Sequence, residues 1–382
     1  MLLPNSAHGS SDDSDSSSSA RTVRPPQVLA DDGTQTGLSV TTPDSGARGR
    51  DWPLLPWARG PLSESVIAAF QREPGTLGVT PPIDGVDALS DDDFALALYL
   101  CYEVHYRGMT RPEWEWDPSL LTFRAQLEAA FEDRLRAEVV TSTTRYPFEV
   151  ASLLDEMIMS SQGPSLSAYL LESGTFDQFR EFCVHRSAYY LKEADPHAFA
   201  IPRLAGEAKA AMMEIQYDEF GAGDANAMHS KLFSDTLVAL GLDPTYGSYV
   251  EVLPGITLAS VNLVSMFALH RRWRAALVGH LAILEMMSVA PMGRYSRALL
   301  RFGIGANGRH FFDVHATADE RHAQIAHDQL VAGLIRVEPE LAADLLFGAA
   351  ALLMLDQRFT AHLLSAWANG QSSLVPWELS VP

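Results

Sequence analysis

The stretch HATADERH, residues 315–322, places two imidazoles and a carboxylate at the spacing i, i+4 and i+7. An α-helix turns by about 100° per residue, so His315, Asp319 and His322 would form one stripe along a single helix face. Such a stripe suits a metal site, but a polar helix face exposed to solvent can show the same pattern. The rest of the sequence has to distinguish these two interpretations.

The composition argues against several classes of protein. The 382 residues are 47% hydrophobic, and 28 Lys and Arg stand against 48 Asp and Glu, which gives a formal net charge of −20. A chain of this kind can bury a full core, and its charge disfavours nucleic acid and anionic membranes as partners. The only cysteines, Cys101 and Cys183, form no CxxC motif. We therefore expect neither a disulfide framework nor a thiolate zinc site, and a cytoplasmic location fits.

Helical signals dominate the sequence after the first fifty residues, and no run of strands with period-two alternation is evident. The pattern predicts an all-α protein, with a helix stop at Pro291 among other breaks at Gly and Pro. The apolar runs near 252–269 and 275–292 contain polar groups and are interpreted as core helices rather than membrane spans. The predicted regions are a disordered Ser/Asp-rich tail (1–50), an accessory helical region (51–170), a helical bundle (171–345), and a C-terminal helix packing on the bundle with a short tail (346–382).

Further candidate ligands lie upstream of HATADERH. Glu285 is the only carboxylate, and no Lys or Arg occurs, between Ala275 and Met292. A carboxylate in such apolar surroundings needs a partner, which a basic side chain or a metal ion would provide. The segments KEADPH and EIQYDEFGAGDANAMH add carboxylates and imidazoles on other predicted helices. Side chains that converge from several helices build di-iron sites in bundle cores, and a set of oxygen and imidazole ligands suits iron or manganese.

Taken in chain order, these residues resemble the ligand pattern of the haem-oxygenase-like di-iron oxidases and oxygenases. The resemblance covers about residues 170–345 and is most specific in HATADERH. Its spacing is closest to that of the N-oxygenating members found in natural-product pathways. It implies a seven-helix bundle of haem-oxygenase topology that binds two Fe(2+) ions and uses O2 as co-substrate.

The resemblance also implies which residues bind the metal: Glu219, His229, Glu285, His315, Asp319 and His322, with Glu193 as an additional ligand. Carried over by position, Glu219, His229 and Asp319 serve one iron or bridge the two. The residues Glu285, His315 and His322 complete the pair of iron sites. Asp218 and Glu214 are rivals of Glu219, since a register shift would exchange them. Candidates for the outer shell, with core packing as the alternative role, are Tyr189, Tyr190, Tyr217 and Gln216.

The leading functional hypothesis is a di-iron, O2-dependent oxygenase that acts on a small amine or amino-acid-like metabolite at nitrogen. One alternative keeps the metal site but catalyses desaturation or C–C cleavage of an amino or fatty acid. A second is a non-catalytic helical interaction protein, and a third is haem binding. The expected partner is a small-molecule substrate, without nucleic acid or membrane, while an electron donor and a homodimer are left open.

Overall fold

The computed structural model describes residues 53–139, 149–161 and 163–376. Within these ranges the chain forms α-helices joined by turns, 3₁₀ segments and a long loop between the first two helices, and it contains no β-strand, which confirms the all-α prediction. The helices are α1 (Pro61–Phe70), α2 (Asp92–Glu103), α3 (Pro118–Glu138), α4 (Val150–Ser160), α5 (Leu166–Glu172), α6 (Phe176–Tyr190), α7 (Asp195–Ala198), α8 (Gly206–Glu219), α9 (His229–Ala239), α10 (Gly255–Leu269), α11 (Arg274–Arg301), α12 (Ala306–Ile325), α13 (Ala332–Val337) and α14 (Ala342–Ala368). The predicted tail over residues 1–50 and the last residues, 377–382, lie outside the described part.

The long helix α11 is the centre of the bundle and packs against α12 on one side and α14 on another. Two glycines allow α11 and α14 to approach closely. A Cβ on Gly279 would lie 1.9 Å from the Leu345 carbonyl oxygen, and one on Gly348 would lie 2.0 Å from that of Ala276. No side chain fits at either position, so this crossing requires glycine on both helices.

The predicted stop at Pro291 is wrong, because α11 continues through it to Arg301. Proline removes one intrahelical hydrogen bond, which normally weakens a helix interior. Here the turns after Pro291 bury Met292, Tyr295 and Leu299 in the core. Burial of these apolar side chains offsets the lost hydrogen bond and keeps the helix continuous.

The stretch from Arg271 to Arg301 is long and apolar enough to cross a membrane by length and composition. However, 61% of its apolar window is buried inside the protein. It also carries the buried carboxylate of Glu285 in its middle. Both features are those of a core helix in a bundle.

The acidic run Asp91-Asp92-Asp93 supports three helices at once. Asp91 caps its own helix, α2, by accepting a hydrogen bond from the Phe94 amide at 2.8 Å. The Asp93 carboxylate accepts from two amides in the first turn of α1, and Asp92 accepts from the Gly255 amide at the start of α10. Amide groups in the first turn of a helix have no intrahelical partner, so these carboxylates satisfy them and tie the N-terminal helices to the bundle.

Candidate metal centre

The HATADERH stretch lies within α12 and presents its His-Asp-His stripe to the interior. His315, Asp319 and His322 are all buried, with Asp319 at 1% and His322 at 0% exposure. Between them, Glu320 and Arg321 lie on the opposite face and are exposed. The helix is therefore amphipathic in an unusual sense, because its buried stripe carries polar groups. This excludes the solvated helix face as an explanation of the pattern.

Four other segments bring carboxylates and one more imidazole to the same place. Glu219 is the last residue of α8, His229 is the first of α9, and Glu285 is in the middle of α11. Glu193 follows α6 in a turn where Ala194 adopts a left-handed φ of 72°. All seven predicted ligand residues are buried and thus converge inside the bundle.

The seven side chains form two groups that share Glu219. The first group is Glu193, Glu219, His229 and His315, whose ligand atoms lie within 4.8 Å of one another. The His229 Nδ1 is 2.7 Å from Glu219 Oε2 and 3.1 Å from His315 Nε2. The His315 Nε2 is 3.5 Å from Glu193 Oε2.

The second group is Glu219, Glu285, Asp319 and His322, again with ligand atoms within 4.8 Å of one another. The His322 Nδ1 faces all three carboxylates of this group, at 3.4 Å from Glu285 Oε2 and 3.5 Å from Asp319 Oδ1. Its distance to Glu219 Oε1 is 3.6 Å. One carboxylate shared by two adjacent donor groups is the arrangement needed to bridge two metal ions.

This grouping differs from the division implied by the family resemblance. His315 falls with His229, whereas Asp319 falls with Glu285 and His322. The reason is the rise of α12, at about 1.5 Å per residue, which separates His315 from His322 by nearly two turns. Only Asp319, between them along the helix, can lie on either side, and it lies beside His322.

The donor atoms at the centre of the site have no hydrogen-bond partner within the described residues. These atoms are Glu193 Oε2, Glu219 Oε2, both carboxylate oxygens of Asp319, and His322 Nδ1. The short contact between Glu219 and His229 lacks the alignment of a hydrogen bond. Buried polar atoms are nearly always paired, so this concentration of unpaired oxygen and nitrogen donors fits a metal site.

The pKa values at the centre also indicate that its charges are not balanced within the protein. Burial raises the pKa of Glu219 to about 7 and the pKa of Glu285 to about 8, and neighbouring acids such as Asp319 add to this effect. Burial lowers the pKa of His229 to about 4. For His322, burial acts in the same downward direction, but the surrounding carboxylates outweigh it and raise its pKa to about 11. Divalent cations would relieve the repulsion among the four acids.

Two contacts outside the donor groups orient the histidines. The second nitrogen of His322, Nε2, lies 3.1 Å from Asp218 Oδ2. The second nitrogen of His315, Nδ1, donates to the Phe311 carbonyl at 2.8 Å. Anchoring of this kind holds an imidazole ligand in one tautomer and one orientation. The contact to Phe311, one turn earlier on α12, follows from helical spacing, whereas no sequence signal pairs Asp218 with His322.

These contacts also separate Glu219 from its two rivals. Asp218 points to the outer side of His322, and Glu214 forms an ion pair with the exposed Arg321. Only Glu219 is turned into both donor groups. Among the aromatic candidates for the outer shell, Tyr217 is 57% exposed and does not reach the site.

A pair of buried histidines lies next to the site, and no spacing in the sequence connects its two members. His197 Nε2 lies 3.1 Å from His280 Nδ1, and the Tyr189 hydroxyl lies 3.3 Å from His197 Nδ1. Burial lowers the pKa of both imidazoles, to about 3 for His280, so the pair is neutral. The two residues are far apart in sequence and on different helices, and only the fold brings them together.

A small cavity adjoins the donor groups. Its wall contains Glu193, Glu219, Glu285, His315 and Asp319, together with apolar side chains of α11 such as Leu281, Leu284 and Met292. Small-molecule sites are typically concave, mostly apolar and supplied with a few polar groups. The donor groups thus face a small, mostly apolar cavity.

Comparison with known proteins shows which family this part of the chain resembles. Residues 180–357, from α6 into α14, match the profile of the family described as iron-containing redox enzymes. This range includes every residue of both donor groups. The part of the chain that carries both donor groups thus resembles an iron-containing redox enzyme.

The chain is also similar to the nitrosourea synthase of Streptomyces achromogenes subsp. streptozoticus. The two are 24% identical over 247 residues, which cover 62% of this chain and 52% of the relative. The chain thus spans about half the length of the curated relative it matches. This similarity supports the predicted kinship with enzymes of natural-product pathways.

Proposed function

We propose that this protein is a di-iron, O2-dependent oxygenase that acts on a small amine or amino-acid-like metabolite and oxygenates it at nitrogen. The observation that carries the proposal is the pair of buried donor groups joined by Glu219. One group with a single metal ion would need no shared carboxylate. The absence of thiolate ligands and the mixture of carboxylate and imidazole favour iron over softer metals.

The residues have distinct proposed roles. Glu193, His229 and His315 would hold one iron, Glu285, Asp319 and His322 would hold the other, and Glu219, which belongs to both groups, would serve both. The two irons would supply the electrons and the binding position for O2 activation. Four carboxylates balance the charge of two Fe(2+) ions, so the loaded centre is close to neutral inside an apolar bundle.

The chain itself contributes a dry, shaped environment. Leu281, Leu284 and Met292 line the cavity and exclude water from the substrate. The neutral hydrogen-bonded chain from Tyr189 through His197 to His280 orders this side of the cavity without burying a charge. Nitrogen is proposed as the oxygenated atom because the name of the Streptomyces relative refers to a nitrosourea, a compound that bears oxygen on nitrogen.

The test starts with anaerobic loading of the full chain with Fe(II), followed by exposure to O2 in the presence of a panel of amines. We expect two irons per chain by metal analysis, their oxidation by O2 in Mössbauer spectra, and an amine product heavier by one oxygen atom. His315→Ala should reduce the iron content and abolish product formation. Loss of two hydrogens from the product would instead indicate desaturation, and no iron uptake would refute the metalloenzyme.

A further inference from the structure

Gln216 is a buried amide that faces the cavity beside the proposed iron centre. It lies on α8 three residues before Glu219, so the two side chains share one side of the helix. The residue is 1% exposed and lines the same cavity as the donor groups. Neither its carbonyl oxygen nor its amide nitrogen has a hydrogen-bond partner in the described chain.

Three other residues of the wall that are not proposed metal ligands, Ser288, Tyr189 and His197, have hydrogen-bond partners of their own. The Ser288 hydroxyl donates to the Glu285 carbonyl at 2.9 Å, and the Tyr189 hydroxyl is paired with His197. Gln216 differs from them because both ends of its amide are unused. A buried amide without partners destabilises the folded state, so its retention requires another reason. A ligand in the cavity would provide that reason.

The charges of the cavity wall define which ligand it would accept. The lining contains four carboxylates and neither lysine nor arginine. Even with two Fe(2+) ions bound, no basic side chain in the lining would pair with an anionic group of the substrate. An N–H-bearing group is favoured, since it can donate to the Gln216 carbonyl.

From this arrangement we infer that Gln216 is a substrate-binding residue that accepts a hydrogen bond from the nitrogen of an amine. The bond holds that nitrogen beside the metal centre, while the apolar side chains of α11 surround the carbon skeleton. The inference rests on the proposed function and specifies how the substrate is recognised. It assigns Gln216 to binding and orientation, without a part in metal coordination.

The experiment compares two ligands of equal length and opposite charge, n-butylamine and butyrate, by calorimetric titration of the anaerobic Fe(II)-loaded chain. The variant is Gln216→Leu, which keeps the size of the side chain and removes both polar atoms. The control is Asn262→Leu, which changes another buried amide that lies on α10 and donates to the Ala95 carbonyl, away from the cavity. Iron content and thermal unfolding are measured on each protein before titration.

We expect the wild-type chain to bind butylamine and not butyrate. Gln216→Leu should retain two irons, weaken butylamine binding about tenfold, and raise the unfolding midpoint of the metal-free chain by about 2 °C. The rise in midpoint is expected because an apolar side chain replaces an unpaired amide. Asn262→Leu should bind butylamine as the wild type does.

The two proposals fail in different ways. If Gln216→Leu loads two irons and binds butylamine as tightly as the wild type, the inference is overturned and the metalloenzyme stands. If the wild type prefers butyrate, the assignment of an N–H-bearing substrate is overturned. If the wild type takes up no iron, the proposed function fails and the inference falls with it.

Discussion

Among the buried charges in the described part of the chain, two clusters differ in their hydrogen bonding. In the first, Lys192 and Glu103 form an ion pair at 0% exposure. The second carboxylate oxygen of Glu103 accepts from the Tyr246 hydroxyl at 2.5 Å, and the Lys192 ammonium lies over the rings of Tyr99 and Tyr106 at 5.1 and 4.3 Å. Each charge in this cluster is matched by groups of the protein.

In the second cluster, the donor groups around Glu219, the central atoms have no partners. The clusters are adjacent in sequence, since Lys192 belongs to the first and Glu193 to the second. This difference in hydrogen bonding shows that burial of charge alone does not indicate function. A satisfied cluster joins α2 to the end of α6, whereas an unsatisfied one calls for a ligand from outside the chain.

The largest expected effect comes from the satisfied cluster. Lys192→Met leaves the carboxylate of Glu103 buried without its cation, and should lower the free energy of unfolding by about 3–5 kcal/mol. Urea denaturation of the metal-free chain measures this loss. Arg321→Met, which breaks the exposed pair with Glu214, is the control and should cost less than about 1 kcal/mol. If both variants lost similar free energy of unfolding, the buried pair would contribute no more to stability than the exposed one.

Metal should stabilise the chain through the unsatisfied cluster. With Fe(II) at about 100 times its dissociation constant, each site should add about 2.7 kcal/mol to the free energy of unfolding. Anaerobic thermal unfolding with and without Fe(II) measures the increment. His315→Ala should show a smaller increment, because it removes one ligand of the first group. An equal increment in that variant would place the metal elsewhere.

The partner of His322 should influence metal binding without touching the metal. Asp218→Asn removes the charge that faces His322 Nε2 and should weaken iron binding about 10–100-fold, as anchoring residues of metal-bound histidines do. Competition with a coloured chelator measures the affinity. Glu214→Gln, one helical turn away on α8, is the matched control and should leave the affinity unchanged. Equal effects of the two substitutions would mean that Asp218 acts only through surface charge.

The pH dependence of iron binding follows from the raised pKa values of the carboxyl groups. Burial raises the pKa of Glu219 to about 7 and that of Glu285 to about 8, so below pH 7 both groups are largely protonated in the metal-free chain. Iron must displace these protons, and affinity should therefore rise with pH, by about tenfold per unit for each proton displaced. Calorimetry in buffers of different ionisation enthalpy counts the released protons. An affinity independent of pH between 6 and 7 would contradict this account.

Much of the site was predictable because helical periodicity relates residues close in sequence. HATADERH predicts a common face for His315, Asp319 and His322 from their spacing alone, and all three are buried together. Glu285 stands out because no other carboxylate occurs in its apolar stretch. The other ligands came from the resemblance, since no rule of spacing connects Glu193 or His229 to α12. In the structure both lie in the first donor group, and their roles as ligands stay predictions.

Other features were not predictable because they depend on how distant helices pack. Asp218, Glu219 and Glu214 lie within one and a half turns of each other, and a shift of one residue would change which of them faces inward. The orientation of α8 decides this by placing Glu219 between the two groups. The continuation of α11 through Pro291 likewise depends on core contacts, which local helix propensity does not predict.

The helical class and the polar stripe on α12 could be predicted from the sequence, because both follow from local periodicity and residue chemistry. The grouping of the predicted ligands could be read only from the tertiary structure. The same holds for the three helices supported by Asp91, Asp92 and Asp93, and for the amide of Gln216 that faces the cavity. Each of these depends on the approach of residues far apart in the chain. That approach is determined by how the whole bundle buries its apolar surface.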